Sequence, residues 1–240
     1  MTGLLYLTDH YLKEFEAIVE EIIDGNKIIL NKTCFFVMGG GQPCDFGKII
    51  SDNQEFNVLN VFKKQGKIIH ELDKEGLKQG NKAKGIIDWE RRYKLMRAHT
   101  AAHIISEIIH KEDKALITGN QLDTEKVRID FSLKDFNKDK VEEYIKKANE
   151  IINKDLLITT EFMTREKALK IPQVSKLAMG FPESIKEVRI VRIGDFDLQA
   201  DAGTHVKSTK EIGTLELIKI ENKGKNNRRI YFRITPLPNS

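Results

Sequence analysis

The sequence predicts an α+β protein. A small N-terminal β-barrel domain occupies residues 1–88 and an α+β domain occupies residues 89–240. Three observations lead there. Up to Asp88 the apolar residues fall in short runs, many 8–12 residues apart and several separated by Gly-containing turns, as in a small barrel or sandwich. Near Trp89 the apolar period becomes helical. Beyond that helix, strand-like runs and a second helical run follow, with no internal repeat or low-complexity tract. A chain of 240 residues can bury a core without disulfides or a metal.

In order, Phe15–Ile23 and Lys27–Asn31 read as two strands joined by Asp24-Gly25-Asn26, a hairpin signal. Thr33–Val37, Lys48–Ile50, Phe56–Phe62, Lys67–Glu71 and Ala83–Ile87 follow as short strands, with turns at Gln65-Gly66 and Gln79-Gly80-Asn81. Over Glu90–Lys111, Leu95, Ala98, Ala101, Ala102, Ile105, Ile108 and Ile109 cover one broad helix face. Asn137 is a candidate N-cap for a helix reaching Asn153, with Val141, Tyr144, Ile145, Ala148, Ile151 and Ile152 at helical spacing. Val127–Leu133, Leu156–Met163, Glu187–Ile193, Gly213–Glu221 and Arg229–Ile234 complete the strands.

Composition removes several function classes. No run of 18 apolar residues exists, so no membrane-spanning helix is expected. Met1–His10 lacks the basic and apolar segments of a secretory leader, and Cys34 and Cys44 cannot build a disulfide framework. A reducing, cytoplasmic location is expected. Forty basic against 36 acidic residues leave a net charge of +4, which permits RNA as a partner without establishing it.

The chemistry concentrates in two segments. His99 and His103 form H-T-A-A-H on the first helix, four apart and one turn up, so both imidazoles can reach one metal. Two hydrogen-bonded histidines on an apolar face would look the same, but Ala98, Ala101 and Ala102 leave room for an ion and a substrate. His110 lies about 10 Å beyond His103 at 1.5 Å per residue and reads as a surface residue. The second segment is Asp197-Leu198-Gln199-Ala200-Asp201-Ala202-Gly203-Thr204-His205-Val206. Gly203 disfavours a regular helix, and a turn there can aim Asp201 and His205 at one point. Three imidazoles with an optional carboxylate would make a zinc site.

Together these segments resemble the editing domain of alanyl-tRNA synthetase and the free-standing alanyl-tRNA editing proteins called AlaX. The matching parts are His99-x-x-x-His103, Asp201-Ala202-Gly203-Thr204-His205-Val206, Thr209-Lys210-Glu211-Ile212-Gly213, and the aromatic and glycine-rich Phe35–Pro43 with Gly39-Gly40-Gly41-Gln42. They stand in the family's order and span nearly the whole chain, whose length is that of a medium AlaX form. The resemblance implies that the second domain is a zinc-binding editing domain. The implied activity is a trans-acting hydrolase that removes serine, and in some members glycine, from mischarged tRNA-Ala, with Zn2+ as cofactor and neither DNA nor membrane as partner. One position departs: the synthetase domain typically has cysteine where this chain has Asp201. Carboxylate binds zinc, though thiolate is the softer donor. Asp201 is thus read as a ligand, as a partner of a zinc-held water, or as a bystander.

On this reading His99, His103, His205 and Asp201 are the metal set, and Gly39, Gly40, Gly41, Gln42, Thr100, Gly203 and Thr204 surround the substrate. Gln42 is expected to contact substrate through its amide. Thr100 is expected to bond the serine hydroxyl and so spare alanine; the competing reading turns its hydroxyl back to a helix carbonyl. Arg91, Arg92, Lys94 and Arg97 before the helical histidines, and Lys219, Lys223, Lys225, Arg228, Arg229 and Arg233 around the last hairpin, are the expected RNA contacts. Two other functions fit the residues: a zinc hydrolase of another small ester or amide, and a non-catalytic tRNA- or synthetase-binding module with structural zinc.

Overall fold

The computed structural model describes residues 2–134, 137–171, 174 and 186–235. It divides into two compact units, Met1–Lys94 and Leu95–Ser240.

The first unit is a closed six-stranded barrel. A short strand β1 (Gly3–Leu4) precedes β2 (Glu14–Ile23) and β3 (Lys27–Leu30); β4 (Lys32–Thr33) pairs with β1 outside the barrel. Then come β5 (Gly47–Ser51), β6 (Gln54–Lys64), β7 (Lys67–Leu72) and β8 (Lys82–Ile87), closing in the order β2-β3-β7-β6-β5-β8. Strand alternation drives this. In β2, Phe15, Ala17 and Val19 face the core while Glu14, Glu16 and Glu20 face out. The hairpin turns explain their residues: Asp24 and Gly25 sit at φ 49° and 76°, and Gln65 and Gly66 at 51° and 81°. Asp52-Asn53 makes an equivalent turn without glycine, at φ 48° and 62°, because both side chains tolerate that region.

The expected strand Thr33–Val37 is not one: only Lys32–Thr33 pair. Cys34, Phe35, Phe36 and Val37 enter the barrel core as irregular chain. Their backbone is met by side chains instead of a ladder, Phe35 N–H by Thr33 Oγ1 at 3.1 Å and Phe36 N–H by Asp45 Oδ2 at 2.6 Å.

Helix α1 (Trp89–Asp113) begins in this unit and continues in the next. The division falls after Lys94 rather than after Asp88 because the first turn belongs to the barrel. Trp89 stacks on Tyr93 and packs against Tyr11, with Lys13 over its ring, and Arg92 pairs with Asp45.

The second unit is α+β. β9 (Ile117–Gln121), β10 (Val127–Phe131), β14 (Thr214–Asn222) and β15 (Arg228–Thr235) form an antiparallel sheet in the order β14-β15-β10-β9, and α2 (Lys138–Ile152) packs on β14. Asn137 caps α2 by accepting the Lys140 N–H at 2.9 Å, and Val141, Tyr144, Ile145, Ala148 and Ile152 are its buried stripe. A second sheet comprises β11 (Ile158–Thr164), β12 (Glu187–Ile193) and β13 (Asp197–Ala200), with the short α3 (Arg165–Leu169) after β11. From Leu95 to Ile109 every α1 residue is buried.

Candidate metal centre

Four potential ligand side chains converge within the second unit. His99 and His103 come from α1. Asp201 follows β13, and His205 lies four residues on in irregular chain. Their ligand atoms all fall within 4.8 Å of one another. His99 Nε2 is 3.4 Å from Asp201 Oδ1, and His205 Nε2 is 3.0 Å from Asp201 Oδ2. Ring centroids of the three histidines lie 4.5–5.2 Å apart.

The loop is shaped by its own residues. Gly203 N–H donates to Asp201 Oδ2 at 2.6 Å. Arg189 of β12, buried, donates to the carbonyls of Asp201 and Gly203 at 3.0 Å each. Thr204 and His205 are fully buried. The following Thr209–Ile212 turn secures the far end: Thr209 Oγ1 donates to the Ile152 carbonyl, and Glu211 with Ser208 forms a capping box. The T-x-E-I-G segment is thereby explained as a structural clasp on α2, and Gly213 at φ 91° as its exit.

Hydrogen bonds assign the imidazole tautomers. Thr100 Oγ1 donates its one proton to the Met96 carbonyl at 2.9 Å. Its lone pairs therefore accept from Val206 N–H at 3.4 Å and from His205 Nδ1–H at 3.2 Å. His205 Nε2 then carries a lone pair and faces a carboxylate oxygen at 3.0 Å. His103 Nδ1 lies 3.2 Å from Asp197 Oδ2, which fixes that ring in the same sense. Burial, the largest influence on His99, lowers its pKa to about 4, against the pull of Asp201. Burial also holds His205 well below the usual imidazole range. For Asp201 burial acts upward, but the neighbouring His99 and His205 outweigh it and hold the carboxyl well below the usual carboxylate range.

The centre therefore gathers imidazole nitrogens of His99 and His205 and the Asp201 carboxylate around one point. A tetrahedral ion with ligand bonds of about 2.0–2.1 Å sets ligand atoms roughly 3.3 Å apart, close to the 3.0 and 3.4 Å separations found. The residues present fit zinc, with Asp201 placed as a ligand would be.

The sequence expectations fare differently from residue to residue. His99, His103, Asp201 and His205 meet. His110 stands apart, its Nδ1 receiving no role beyond the Ala115 carbonyl at 3.0 Å. Thr100 corrects the expectation of a substrate-facing hydroxyl. It is fully buried, and its proton and lone pairs are used by Met96, Val206 and His205. Asp197, given no role in the sequence reading, stands behind His103. A strand reading of Asp197-Leu198-Gln199-Ala200-Asp201 would have found it, since residues 197, 199 and 201 share one face.

In the first unit, Gly39 and Gln42 exchange backbone hydrogen bonds at 3.1 and 2.9 Å across a tight turn, with Gly40 and Gly41 at φ 60° and 87°. Turn geometry alone demands those two glycines. Gln42 is 1% exposed.

Among the basic residues, Arg92 is a correction. It is 0% exposed, and its guanidinium serves Asp45 and the carbonyls of Cys34 and His10. A phosphate cannot reach it. Arg97 is likewise buried and donates to the Ile212 carbonyl at 2.7 Å. Arg229 pairs with Asp130 at 2.6 and 2.8 Å. Arg91 lies over the Phe46 ring, Lys94 pairs with Glu90, Lys219 and Lys223 with Glu221, and Arg233 with Glu216. Exposed Lys225, with Lys134, Asn226 and Arg228, lines a cavity of about 400 Å³.

Comparison with known proteins places this geometry. Residues 188–231 match the family model described as threonyl and alanyl tRNA synthetase second additional domain, and residues 6–91 match class II (A) tRNA synthetases. The chain is 49% identical to an alanyl-tRNA editing protein AlaX-M of Methanosarcina barkeri, over 98% of this chain and 99% of that protein. It is 45% identical to an AlaX-M of Saccharolobus solfataricus, over 98% of this chain and all of that protein. An alanine–tRNA ligase of Pyrococcus abyssi is 35% identical over 96% of this chain, which corresponds to 26% of that enzyme.

Proposed function

The chain belongs to the AlaX family of alanyl-tRNA editing proteins, and on that premise we propose that it acts in trans to hydrolyse the ester joining a wrong amino acid to tRNA-Ala. Serine is the first substrate and glycine the second, with a zinc ion held by His99, His103, His205 and Asp201. The observation that carries this is the convergence of three imidazoles and one carboxylate, with ligand atoms all within 4.8 Å of one another. Zinc bound there supplies Lewis-acid polarisation of the ester carbonyl or activation of a water. An aminoacyl ester is already an activated acyl group, so little more is required.

The chain's own residues do the rest. Thr100 holds His205 through its Nδ1. Arg189 and Gly203 hold the loop that carries Asp201. Burial keeps His99 and His205 unprotonated at neutral pH. Gly203 and Thr204 are kept as substrate contacts beside the ligands, and the Gly39–Gln42 turn on the strength of its motif. Lys225, Arg228 and Lys134 are the proposed phosphate contacts, because their cavity gathers cations at an exposed edge.

The test couples metal analysis to deacylation of tRNA-Ala charged with serine, glycine or alanine, beside a small serine ester. Bound zinc, rapid release of serine and glycine, and retention of alanine are expected. Full turnover after verified removal of zinc would overturn the mechanism. Equal turnover of the small ester would overturn the substrate.

A further inference from the structure

We propose that Asp197 is a positioning residue for the metal centre, holding His103 by its Nδ1–H so that Nε2 is presented to the ion. The inference rests on the metal reading above and adds a residue lying outside the Asp201–Val206 motif.

Asp197 opens β13 opposite Ile193 of β12, and Asp201 follows the last residue of β13. Four residues apart in extended chain, the two carboxylates leave on the same face. One reaches His99 and His205, the other His103. A single strand face thus supplies a ligand and the support of a different ligand. The Asp197 side chain is completely buried, and burying a carboxylate is costly unless strong hydrogen bonds compensate. Its Oδ2 lies 3.2 Å from His103 Nδ1, a donor fixed on a fully buried stretch of helix. The arrangement is the carboxylate–imidazole–metal relay by which a metal-binding ring is fixed in orientation and made a better donor.

The same carboxylate borders a cavity of about 280 Å³ that Glu107, Lys111, Arg192 and Asp195 also line. A substituted side chain at 197 therefore finds space, and a variant reports on the bond to His103 more than on packing. Gln199, the intervening residue of that strand face, supplies the control: it is buried yet is not one of the four ligand residues.

The experiment titrates cobalt into the metal-free full chain and follows the d–d absorption, with zinc competition giving affinity. The proteins are the parent, Asp197→Asn, Asp197→Glu and Gln199→Ala. Asp197→Asn should lose roughly 10- to 100-fold in affinity and alter the absorption bands. Asp197→Glu, which restores the carboxylate one methylene longer, should lose less and still alter the bands. Gln199→Ala should bind as the parent does. Should the Asn variant fail to fold, the Glu variant decides alone. Parent-like affinity and bands in a folded Asp197 variant overturn the proposal while leaving the metal site standing. A parent chain that binds no cobalt or zinc overturns both.

Discussion

Each unit buries charge, and the two do so in opposite ways. In the barrel, Arg92 and Asp45 are completely buried, and opposite charges meet. Spare guanidinium N–H groups find the carbonyls of Cys34 and His10, and Asp45 also accepts the Phe36 N–H. That network is closed by the protein itself. In the second unit, three imidazoles and one carboxylate converge, their ligand atoms all within 4.8 Å of one another. Buried polarity is therefore no mark of a site by itself. Convergence of four potential ligand side chains on one point is. The barrel network is a structural clasp between the irregular Cys34–Asp45 stretch and the first turn of α1, whereas the histidine cluster carries the donor set of a metal site.

The comparison breaks most visibly at His103. His103→Ala should abolish metal binding and deacylation together. The activity lost corresponds to several kcal/mol of transition-state stabilisation, roughly a thousandfold or more. Activity and metal content measured on the same preparation check it, and high turnover in a zinc-free His103→Ala protein would sink the distinction. Arg92→Ala should act on stability instead. Removing one partner of a buried pair leaves an uncompensated charge and costs about 3–5 kcal/mol. Urea unfolding reads that loss, and the protein that remains folded should bind zinc with parent affinity.

Acid sharpens the contrast. Two buried histidines, His70 in the barrel and His99 in the centre, each have a pKa lowered by burial to about 4. His70 sits 2.9 Å from Thr33 Oγ1. An unfolded histidine takes its proton near pH 6.5 and the folded one only near pH 4. Stability is therefore fully present above pH 6.5 and is lost as pH falls from 6.5 towards 4, by on the order of 3 kcal/mol for each group. Unfolding of the metal-free protein across that window should show this slope. His70→Gln should remove the barrel's share. Saturating zinc should hold His99 unprotonated to lower pH, so that its share of the loss continues below pH 4 while that of His70 does not, and a zinc-independent profile would deny that His99 is a ligand.

Much of this was legible beforehand, and the exceptions share a physical origin. Period-two runs and Asp-Gly or Gln-Gly turns reveal the barrel because a pleated strand must alternate and a tight turn must find residues that accept positive φ. Asp52-Asn53 escaped that rule by making the turn without glycine. Cys34–Val37 looks like a strand because apolar content is local information, but ladder pairing is not: here Thr33 and Asp45 take the N–H groups. β9 hides because its sequence, Ile-Thr-Gly-Asn-Gln, has little strand character and depends on β10 for pairing. At the centre, spacing alone brings His99 beside His103, and the motif adds Asp201 and His205. Partner geometry then decides what pattern cannot: Arg92 reads as a solvated cation and proves to be the heart of the barrel clasp. Asp197, to which the pattern assigns no role, opens a strand.

Thr100 turns the remaining ambiguity into a measurement. Its hydroxyl is committed to Met96, Val206 and His205, so Thr100→Val should weaken zinc binding about tenfold by releasing His205 Nδ1. The ratio of serine to alanine deacylation, compared at saturating zinc, should stay near that of the parent. A variant with undiminished zinc affinity and a lost serine preference would instead return the hydroxyl to the substrate.

The smallest effect should come from the surface, where neither kind of buried network operates. Lys225 is exposed and shares its cavity with Lys134 and Arg228. Each phosphate contact contributes through counterion release, so its strength depends on salt and its loss reduces the salt slope by about one. Lys225→Ala should therefore raise KM for charged tRNA a few-fold at low salt, with kcat and zinc affinity unchanged, and the difference should fade as salt is raised. Arg92→Ala should leave that slope untouched in the folded protein, because a guanidinium already saturated by Asp45 and two carbonyls has nothing to offer a phosphate. A fall in slope for Arg92→Ala equal to that for Lys225→Ala would mean that the barrel clasp opens to RNA, and the contrast between the two buried networks would fail.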